Sequence, residues 1–339
     1  ACSEIPISFT DSSVISSGAV TGWSWNFGNN LGSSTQQNPY FSFQNNFAYP
    51  VTLISTSSYG CSDTITKYII VEKTPVFTIN TINNCEGLFS QLNYTLLASA
   101  SSNLAYLWNF GDSTSSFQPS PTHLYNTAGN FITSLEVTDL TNGCAVTKFD
   151  TLIIYPNPNT NFTFSNACIG KEVDLLDAST INNGSITIYE WKNNESQFAT
   201  GNSTTFIGSQ PGIVNMELIT TSNFGCKDSI TLQLTIYPKP DVSFDSSLFV
   251  GCQPFVAQFN NNTVGATSFY YWSFGDGTTS TLNNPIHVYP NVGSYNTMLY
   301  AENSFGCKDS ALGLVIVHPK PESDFIFYPD SNCGVPVLI

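Results

Sequence analysis

Four tryptophans recur along the 339-residue chain about every 82 residues, and this interval constrains the fold more than any other feature. Their surroundings are alike, as the segments YLWNFGDST and YYWSFGDGTT show. The four are Trp25, Trp108, Trp191 and Trp272. A fixed period of this length is typical of tandem units, each about the size of one small domain. The chain is therefore predicted to contain one unit four times, with each tryptophan in a core.

Cysteines and prolines repeat with the same period. A Gly-Cys pair occurs once in each unit, at Cys61, Cys144, Cys226 and Cys307. A second series of cysteines comprises Cys2, Cys85, Cys168, Cys252 and Cys333. Joins such as YPNP, YPKP and HPKP separate the units, which we place at residues 1–73, 74–156, 157–238 and 239–319, with a fifth beginning over 320–339. Because short proline-containing joins are stiff and extended, we expect a rod.

Within each unit the apolar residues follow the period of strands. In the second unit Phe131, Thr133, Leu135 and Val137 alternate with more polar neighbours, and turn residues such as Asn142-Gly143 separate the runs. We find no capped stretch with helical periodicity. Several short strands in roughly 80 residues are typical of a β-sandwich, so an all-β fold of tandem immunoglobulin-like sandwiches is predicted.

The motifs of the fourth unit resemble a PKD domain, the polycystic-kidney-disease-type immunoglobulin-like sandwich. They are YYWSFGDGTTS at 270–280, NPIHVY at 284–289 and the Gly306-Cys307 pair. The second unit has similar motifs. The first unit has Phe41 where the second and fourth have His123 and His287, and the third has Asn193-Asn194 in place of Phe-Gly. Tandem PKD units with such endings are similar to those of large secreted surface proteins of Bacteroidota, including gliding-motility adhesins. The resemblance implies an extracellular, cell-surface stalk or adhesin without catalytic activity.

Nine cysteines favour an oxidising compartment. Because each full unit holds two, we expect bonds within units: Cys2–Cys61, Cys85–Cys144, Cys168–Cys226 and Cys252–Cys307. Cys333 is expected to be unpaired within the chain and bonded to a residue beyond Ile339. Zinc is disfavoured because no C-x-x-C occurs.

The two ends of the sequence carry complementary parts of a unit. Units two to four open with a strand ahead of their first cysteine, whereas only Ala1 precedes Cys2; residues 324–328 repeat that strand before Cys333. We therefore expect an excerpt from a longer array. The alternative is a donor-strand scheme, in which one chain's tail completes the next chain's first unit. It is disfavoured because Cys333 would compete with Cys2 for Cys61.

The sequence contains no motif for catalysis, whether G-x-S-x-G, H-E-x-x-H or Walker A, so no enzyme is expected. His123 and His287 occupy one repeat position, which favours a structural role. No cofactor is expected. Structural calcium is the alternative, through Asp112 and Asp276 of the F-G-D turns and through Asp139, Asp177 and Asp228 near other turns. An Asp at a tight turn usually bonds its own backbone instead.

Two surface features are candidates for contact or modification. Tyr271, Met298 and Tyr300 are predicted on an outer face, where neighbouring strands would make them an exposed apolar stripe that binds a partner or ligand. A D-[ST]-apolar pattern resembles the O-glycosylation motif of Bacteroidota; its hydroxyl residues are Thr64, Thr151, Ser229 and Ser310. The alternative is a strand-start position that recurs with the repeat.

Charge and hydropathy restrict the partners. The formal net charge is −15, and the chain has nine lysines and no arginine, which disfavours nucleic acid and anionic membranes. No apolar run of about 18 residues occurs. We expect neighbouring repeats, glycans or surface proteins as partners, and a monomeric rod. The predicted function is an extracellular stalk or spacer and adhesive array, a gliding or attachment adhesin; the alternatives are a carbohydrate- or surface-binding array and an accessory stalk of a secreted hydrolase.

Overall fold

The computed structural model describes residues 1–28, 30–99, 101–245, 248–265 and 267–327, and these residues form thirty β-strands without a helix. A membrane-spanning helix is accordingly not found among them. The chain divides into two compact units. The first comprises Ala1–Asn159, Thr180–Thr187 and Thr221–Asp228; the second comprises Thr160–Ser179, Ile188–Thr220 and the described part of Ser229–Ile339.

The first repeat is a sandwich of a four-stranded and a two-stranded sheet. Its strands are β1 (Ile7–Ser8), β2 (Val20–Asn26), β3 (Ser33–Ser34), β4 (Tyr40–Phe41), β5 (Phe47–Ser57) and β6 (Ser62–Val71). The sheet orders are β3-β2-β5-β6 and β1-β4. Trp25, Phe27, Phe43 and Val51 form its core, because alternate residues of β2 and β5 face inward.

The second repeat adds strands at its start. They are β7 (Val76–Asn80), β8 (Asn84–Cys85), β9 (Phe89–Gln91) and β10 (Asn93–Ala98), followed by β11 (Leu104–Asn109), β12 (Ser115–Ser116), β13 (Thr122–Leu124), β14 (Gly129–Asp139) and β15 (Cys144–Tyr155). The main sheet has the order β12-β11-β14-β15-β8, and the pairs β10-β7 and β13-β9 lie opposite it. Thr133, Leu135 and Val137 of β14 are fully buried on one face, as their alternation predicts.

The third repeat keeps this architecture although its motif is altered. Its strands are β16 (Phe162–Thr163), β17 (Ala167–Cys168), β18 (Glu172–Asp177), β19 (Ile186–Asn193), β20 (Ser196–Thr200), β21 (Ser203–Ile207), β22 (Gly212–Ser222) and β23 (Lys227–Tyr237). The sheet orders are β17-β23-β22-β19-β20 and β16-β18-β21. Trp191 is fully buried, so the core survives without the Phe-Gly of the other repeats.

The fourth repeat matches the second in its main sheet. Its strands are β24 (Leu248–Cys252), β25 (Phe255–Gln258), β26 (Thr267–Ser273), β27 (Thr279–Ser280), β28 (Ile286–Tyr289), β29 (Gly293–Asn303) and β30 (Lys308–His318). The orders are β24-β30-β29-β26-β27 and β25-β28. Trp272 and Leu299 are fully buried between these sheets. The prediction of tandem immunoglobulin-like sandwiches is confirmed.

Candidate functional site

The disulfides join neighbouring repeats, and the predicted pairings within repeats are wrong. The bonds are Cys2–Cys144, Cys85–Cys226 and Cys168–Cys307, each with 5.6 Å between the Cα atoms. Each connects the first cysteine of one repeat to the Gly-Cys cysteine of the next. Cys61 and Cys252, which were predicted to be bonded, are exposed and free. Cys333 lies outside the described residues.

Strand geometry explains why the two cysteines of one repeat do not bond. Cys144 begins β15, and Cys85 pairs in parallel with Tyr155 at the end of that strand. Twelve residues of extended strand separate the two ends by about 37 Å. A disulfide requires Cα atoms within about 7 Å. The other repeats have the same arrangement, with Cys2 beside Glu72, Cys168 beside Tyr237 and Cys252 beside His318.

The hairpin that holds each Gly-Cys pair instead contacts the end of the preceding repeat. Asn142 donates a side-chain hydrogen bond of 3.1 Å to the carbonyl oxygen of Lys73, in the first join. At the next joins Phe224 stacks on Tyr155, and Phe305 on Tyr237, with centroid distances of 4.2 and 4.4 Å. The turn also explains the glycine of the pair, since Gly143, Gly225 and Gly306 have φ angles of 73°, 84° and 78°.

A second recurring site is the Asp–His turn of repeats two and four. Nε2 of His123 lies 2.6 Å from Oδ2 of Asp112, and Thr114 donates from its Oγ1 to Oδ1 of the same carboxylate at 2.5 Å. The imidazole stacks on Phe110 at 4.2 Å and meets the edge of Tyr125 at 4.6 Å. His287, Asp276, Thr278, Phe274 and Tyr289 repeat this arrangement.

The electrostatics of this turn favour the ionised aspartate. Burial raises the pKa of Asp112, but the hydrogen bonds from Thr114 and His123 outweigh it, and the pKa lies below its ordinary value. Asp276 shows the same lowering from the same causes. Burial raises the pKa of Tyr125, whose hydroxyl donates to the carbonyl oxygen of Phe110 at 2.9 Å. The arrangement fixes the turn, which agrees with the structural role predicted for both histidines.

The remaining aspartates considered for calcium also bond protein groups. Asp139 accepts hydrogen bonds from the backbone and hydroxyl of Ser101 and from the backbone of Thr141. Asp177 accepts one from the backbone of Ser179, and Asp228 lies half-buried in β23. Within the described part of the chain, no three His, Cys, Asp or Glu side chains are grouped to hold a metal ion.

The predicted contact stripe is assembled but only half-exposed. Tyr271 lies directly opposite Tyr300 across the β26–β29 pair, and Met298 lies one position along. The Tyr300 hydroxyl donates to Glu302 at 3.1 Å, and Nζ of Lys308 lies 5.9 Å from the ring. The most exposed member of this face is Leu312, which is 74% accessible and lies opposite Met298. The sequence analysis did not include Leu312 because it considered only the two preceding strands of the sheet.

The predicted glycosylation residues lie on the last strand of each repeat. Thr64, Thr151, Ser229 and Ser310 are all exposed. Thr64, Ser229 and Ser310 follow the Gly-Cys cysteine by three residues, whereas Thr151 follows it by seven. A single recurring strand position therefore accounts for three of them and not for Thr151.

The β-sandwiches and their recurring motifs place the chain in the class of proteins built from tandem immunoglobulin-like domains. The family model described as PKD domain matches residues 1–71, 72–154 and 237–316, and the chain belongs to that family. The matched ranges leave out 155–236, which hold the altered third motif. The recognition of PKD repeats from the sequence is confirmed.

Curated relatives match parts of the chain. Collagenase ColA of Bacillus cereus is 41% identical over 59 residues, which are 17% of this chain and 6% of that protein. Pre-pro-metalloprotease PrtV of Vibrio cholerae serotype O1 is 28% identical over 156 residues, 44% of this chain and 16% of that protein. The chain thus spans under a fifth of either relative. Among solved structures, the N-terminal eight Ig domains of Down Syndrome Cell Adhesion Molecule match with a TM-score of 0.40 and 13% identity, covering 93% of this chain and 45% of that one.

Proposed function

We propose that the chain is a non-catalytic extracellular spacer, an array that holds the parts joined to it at a distance. The observation that supports this proposal is the series of disulfides between consecutive repeats. A spacer works only if its modules keep a fixed order and do not separate. Bonds that run from one repeat to the next serve that purpose, whereas bonds within repeats would leave the joins to the prolines alone.

The same bonds stabilise modules that are small. Each closes a loop of 139 to 142 residues. On a chain-entropy model such a loop contributes about 5 kcal/mol. Domains of about 80 residues have small cores and benefit from such links. Three disulfides also support an oxidising, extracellular location.

Small-angle X-ray scattering tests the spacer. With roughly 35–40 Å for a sandwich and its end loops, four in line give a maximum dimension of about 150 Å. Reduction should broaden the distance distribution, because consecutive repeats lose their disulfide cross-links and remain joined by the polypeptide alone. The variant with Cys61→Ser and Cys252→Ser is the control, since it keeps the three bonds and should scatter like the native chain. A native particle under about 80 Å across would contradict the proposal.

The relatives favour a second candidate, the accessory part of an extracellular peptidase. The match to a collagenase motivates it, although the matched segment covers a small share of that protein. In this role the repeats hold a catalytic domain near a protein substrate. A binding assay of the 339-residue chain on immobilised fibrillar collagen, with immobilised serum albumin as control, distinguishes the two candidates. A substrate-binding accessory should bind collagen and not albumin, whereas a plain spacer should bind neither.

An adhesive role, in which the array attaches a cell to a surface or glycan, would need a contact face. The face around Leu312 and the Tyr271–Tyr300 pair is the candidate. Leu312→Asp should abolish binding to a glycan array without altering the thermal midpoint, because the side chain is exposed. Leu282→Asp, at a similarly exposed leucine in the loop after β27, is the matched control. Unchanged glycan binding by Leu312→Asp would count against this face.

A further inference from the structure

An Asn-Gly pair occurs twice in the chain, at Asn142-Gly143 and at Asn183-Gly184. This dipeptide is especially prone to lose its side-chain amide. The backbone nitrogen of the second residue can attack the side-chain carbonyl carbon of the first, and glycine has no Cβ to hinder the approach. The attack needs a side chain that can turn toward that nitrogen and an N–H that is not held in a hydrogen bond. The fold meets these conditions at one of the two sites.

At Asn142 every group that would have to move is held. Its Oδ1 accepts the backbone N–H of Cys144 at 2.9 Å, and its Nδ2 donates to the carbonyl oxygen of Lys73 at 3.1 Å. The N–H of Gly143 donates to the carbonyl oxygen of Asp139 at 2.7 Å. These hydrogen bonds would have to break before the nitrogen of Gly143 could reach the side-chain carbon, so the folded chain protects this site.

At Asn183 the corresponding groups are free. The residue is exposed, and among the described residues neither its side-chain amide nor the N–H of Gly184 has a hydrogen-bond partner. Asn182, Asn183 and Gly184 form a bend ahead of β19, so no strand pairing restrains them. Asn183 also lines an open cleft of about 450 Å³ together with Glu86 and Tyr155, which gives water access to the reacting atoms.

We propose that Asn183 is a site of spontaneous deamidation in the folded protein, and that the reaction loosens the contact between its loop and the Gly-Cys hairpin of the same repeat. The nitrogen of Gly184 bonds to Cγ of Asn183 and loses its proton to solvent, while Nδ2 takes up a proton and leaves as ammonia. The product is a succinimide ring. Water then adds to one of the two ring carbonyls, and the C–N bond at that carbonyl breaks.

The two directions of hydrolysis give two products. Cleavage at one carbonyl gives aspartate on a normal backbone, and cleavage at the other gives isoaspartate, in which the main chain runs through the former side chain. No electrons are transferred, and one water is consumed for each ammonia released. Either product carries a carboxylate where Asn183 had an amide, and isoaspartate also lengthens the main chain by one carbon atom.

The loop of Asn183 has little room for a longer backbone. A Cβ on Gly184 would lie 2.5 Å from Oδ1 of Asn223 and 2.6 Å from the ring of Phe224. The N–H of Ser185 donates to Oδ1 of Asn223 at 2.9 Å, and the N–H of Asn223 donates to the carbonyl oxygen of Ser185 at 2.9 Å. Isoaspartate adds its extra carbon directly before Gly184, so this close packing has to shift.

The contact that loosens belongs to the hairpin that ties the third repeat to the second. Phe224 stacks on Tyr155 at 4.2 Å, and Cys226 is bonded to Cys85. The disulfide survives deamidation because none of its atoms takes part, whereas the hydrogen bonds between loop and hairpin depend on where the loop lies. The new carboxylate also faces the cleft that holds Glu86, and like charges repel. Deamidation therefore turns a tight join into a looser one that is still covalently linked.

Peptide mapping of the full 339-residue chain tests the modification. The chain is incubated at mildly alkaline pH in water enriched in the heavy oxygen isotope, which hydrolysis of the succinimide builds into the product. We expect Asn183 to convert with uptake of heavy oxygen, and Asn142 to convert more than about tenfold more slowly, because its hydrogen bonds must first open. In the reduced chain in denaturant, the two sites should convert at comparable rates. An intact Asn183, equal rates in the folded chain, or a difference that persists on unfolding would overturn the proposal.

Hydrogen exchange tests the effect on the hairpin. After incubation, the amides of Ser185 and Asn223 should exchange at least about tenfold faster than in the fresh chain, because local opening becomes easier. Asn183→Gln would need a larger imide ring, which forms slowly, so its incubated form should keep both amides protected. Asn183→Asp, measured fresh, carries the charge on a normal backbone and should lose less protection than the incubated native chain.

Unchanged protection in the incubated native chain, or an equal loss in incubated Asn183→Gln, would contradict the loosening. A loss in fresh Asn183→Asp as large as that in the incubated native chain would contradict the part assigned to the longer backbone. Both measurements are independent of the proposed spacer, since neither depends on the dimensions of the array.

Discussion

At the scale of single residues, hydrogen bonds to two aspartates decide the shape of the F-G-D turns. Asp112 and Asp276 each accept from a threonine two residues on and lie within hydrogen-bond distance of a histidine eleven residues on. The histidine rings are held in turn by stacking on a buried phenylalanine. The F-G-D motif and its histidine thus determine the local structure of the turn. The motif recurs because two repeats build the same turn.

The lowered pKa of Asp276 predicts a dependence of stability on pH. A depressed folded-state pKa stabilises the protein above the unfolded value of about 3.9, and the contribution is lost as pH falls through the folded-state pKa. Asp276→Ala should therefore destabilise the fourth repeat by about 1–3 kcal/mol at pH 6, since hydrogen bonds to a charged group are lost. Thermal midpoints from pH 6 to pH 2 should converge for the two proteins. A constant difference over that range would show that ionisation of Asp276 plays no part.

Two glycines of the fourth repeat should respond differently to alanine. Gly275 and Gly306 both have positive φ angles, of 84° and 78°. A Cβ on Gly275 would lie 2.5 Å from the carbonyl oxygen of Asn296, whereas one on Gly306 meets nothing within 4 Å. Gly306→Ala should cost about 1–2 kcal/mol for the backbone conformation alone, and Gly275→Ala clearly more. Equal shifts in the unfolding midpoint would mean that the close approach relaxes without cost.

At the scale of strands, the opening segment supplies part of the core of the second, third and fourth repeats. Phe77 is fully buried, and Phe325 occupies the corresponding position of residues 322–327 but is exposed. Phe77→Ala should destabilise the second repeat by about 3–5 kcal/mol. Phe325→Ala should leave every unfolding transition unchanged, because the Phe325 side chain is 85% accessible. A loss of stability in the Phe325 variant would show that this residue packs against one of the repeats.

The strands were predictable from the sequence because alternation and the tryptophan interval are local signals. Phe131 to Val137 alternate, and the structure has the same alternation in β14. The pairing of the cysteines was predicted wrongly, because the correct pairing depends on which end of a strand each cysteine occupies. One signal was present: the Gly-Cys cysteines stand eleven residues before Tyr155, Tyr237 and His318, the length of the whole last strand. That spacing places the two cysteines of a repeat at opposite ends.

Side-chain exposure was predicted less well than strand position. Tyr271 and Tyr300 are cross-strand neighbours, as alternation requires, but Glu302 and Lys308 cover part of Tyr300. Coverage depends on the neighbouring strand β30, whose register follows from the hairpin turn at Phe305-Gly306. An open groove of the first repeat could not be predicted from the sequence, because the residues that line it, such as Ile7, Leu53 and Ile65, come from strands distant along the chain.

At the scale of the whole molecule, the overlapping disulfides determine how tension passes along the array. Between Cys2 and Cys307 the shortest covalent path runs through the bond to Cys144, along 24 residues to Cys168, and through the bond to Cys307. Fully stretched, this path is about 90 Å long, against about 1,100 Å for the uncrosslinked polypeptide.

An array pulled by its ends is therefore almost inextensible even after its sandwiches have unfolded. In a single-molecule pulling experiment with handles at residues 1 and 308, next to the bonded cysteines, the oxidised chain should lengthen to no more than about 100 Å, whereas the same chain in reducing buffer should lengthen by several hundred ångströms. Large extension of the oxidised chain would contradict the overlapping pattern. The load at high force then falls on sulfur–sulfur bonds rather than on the cores, so the redox state of the surroundings sets the compliance of the tether.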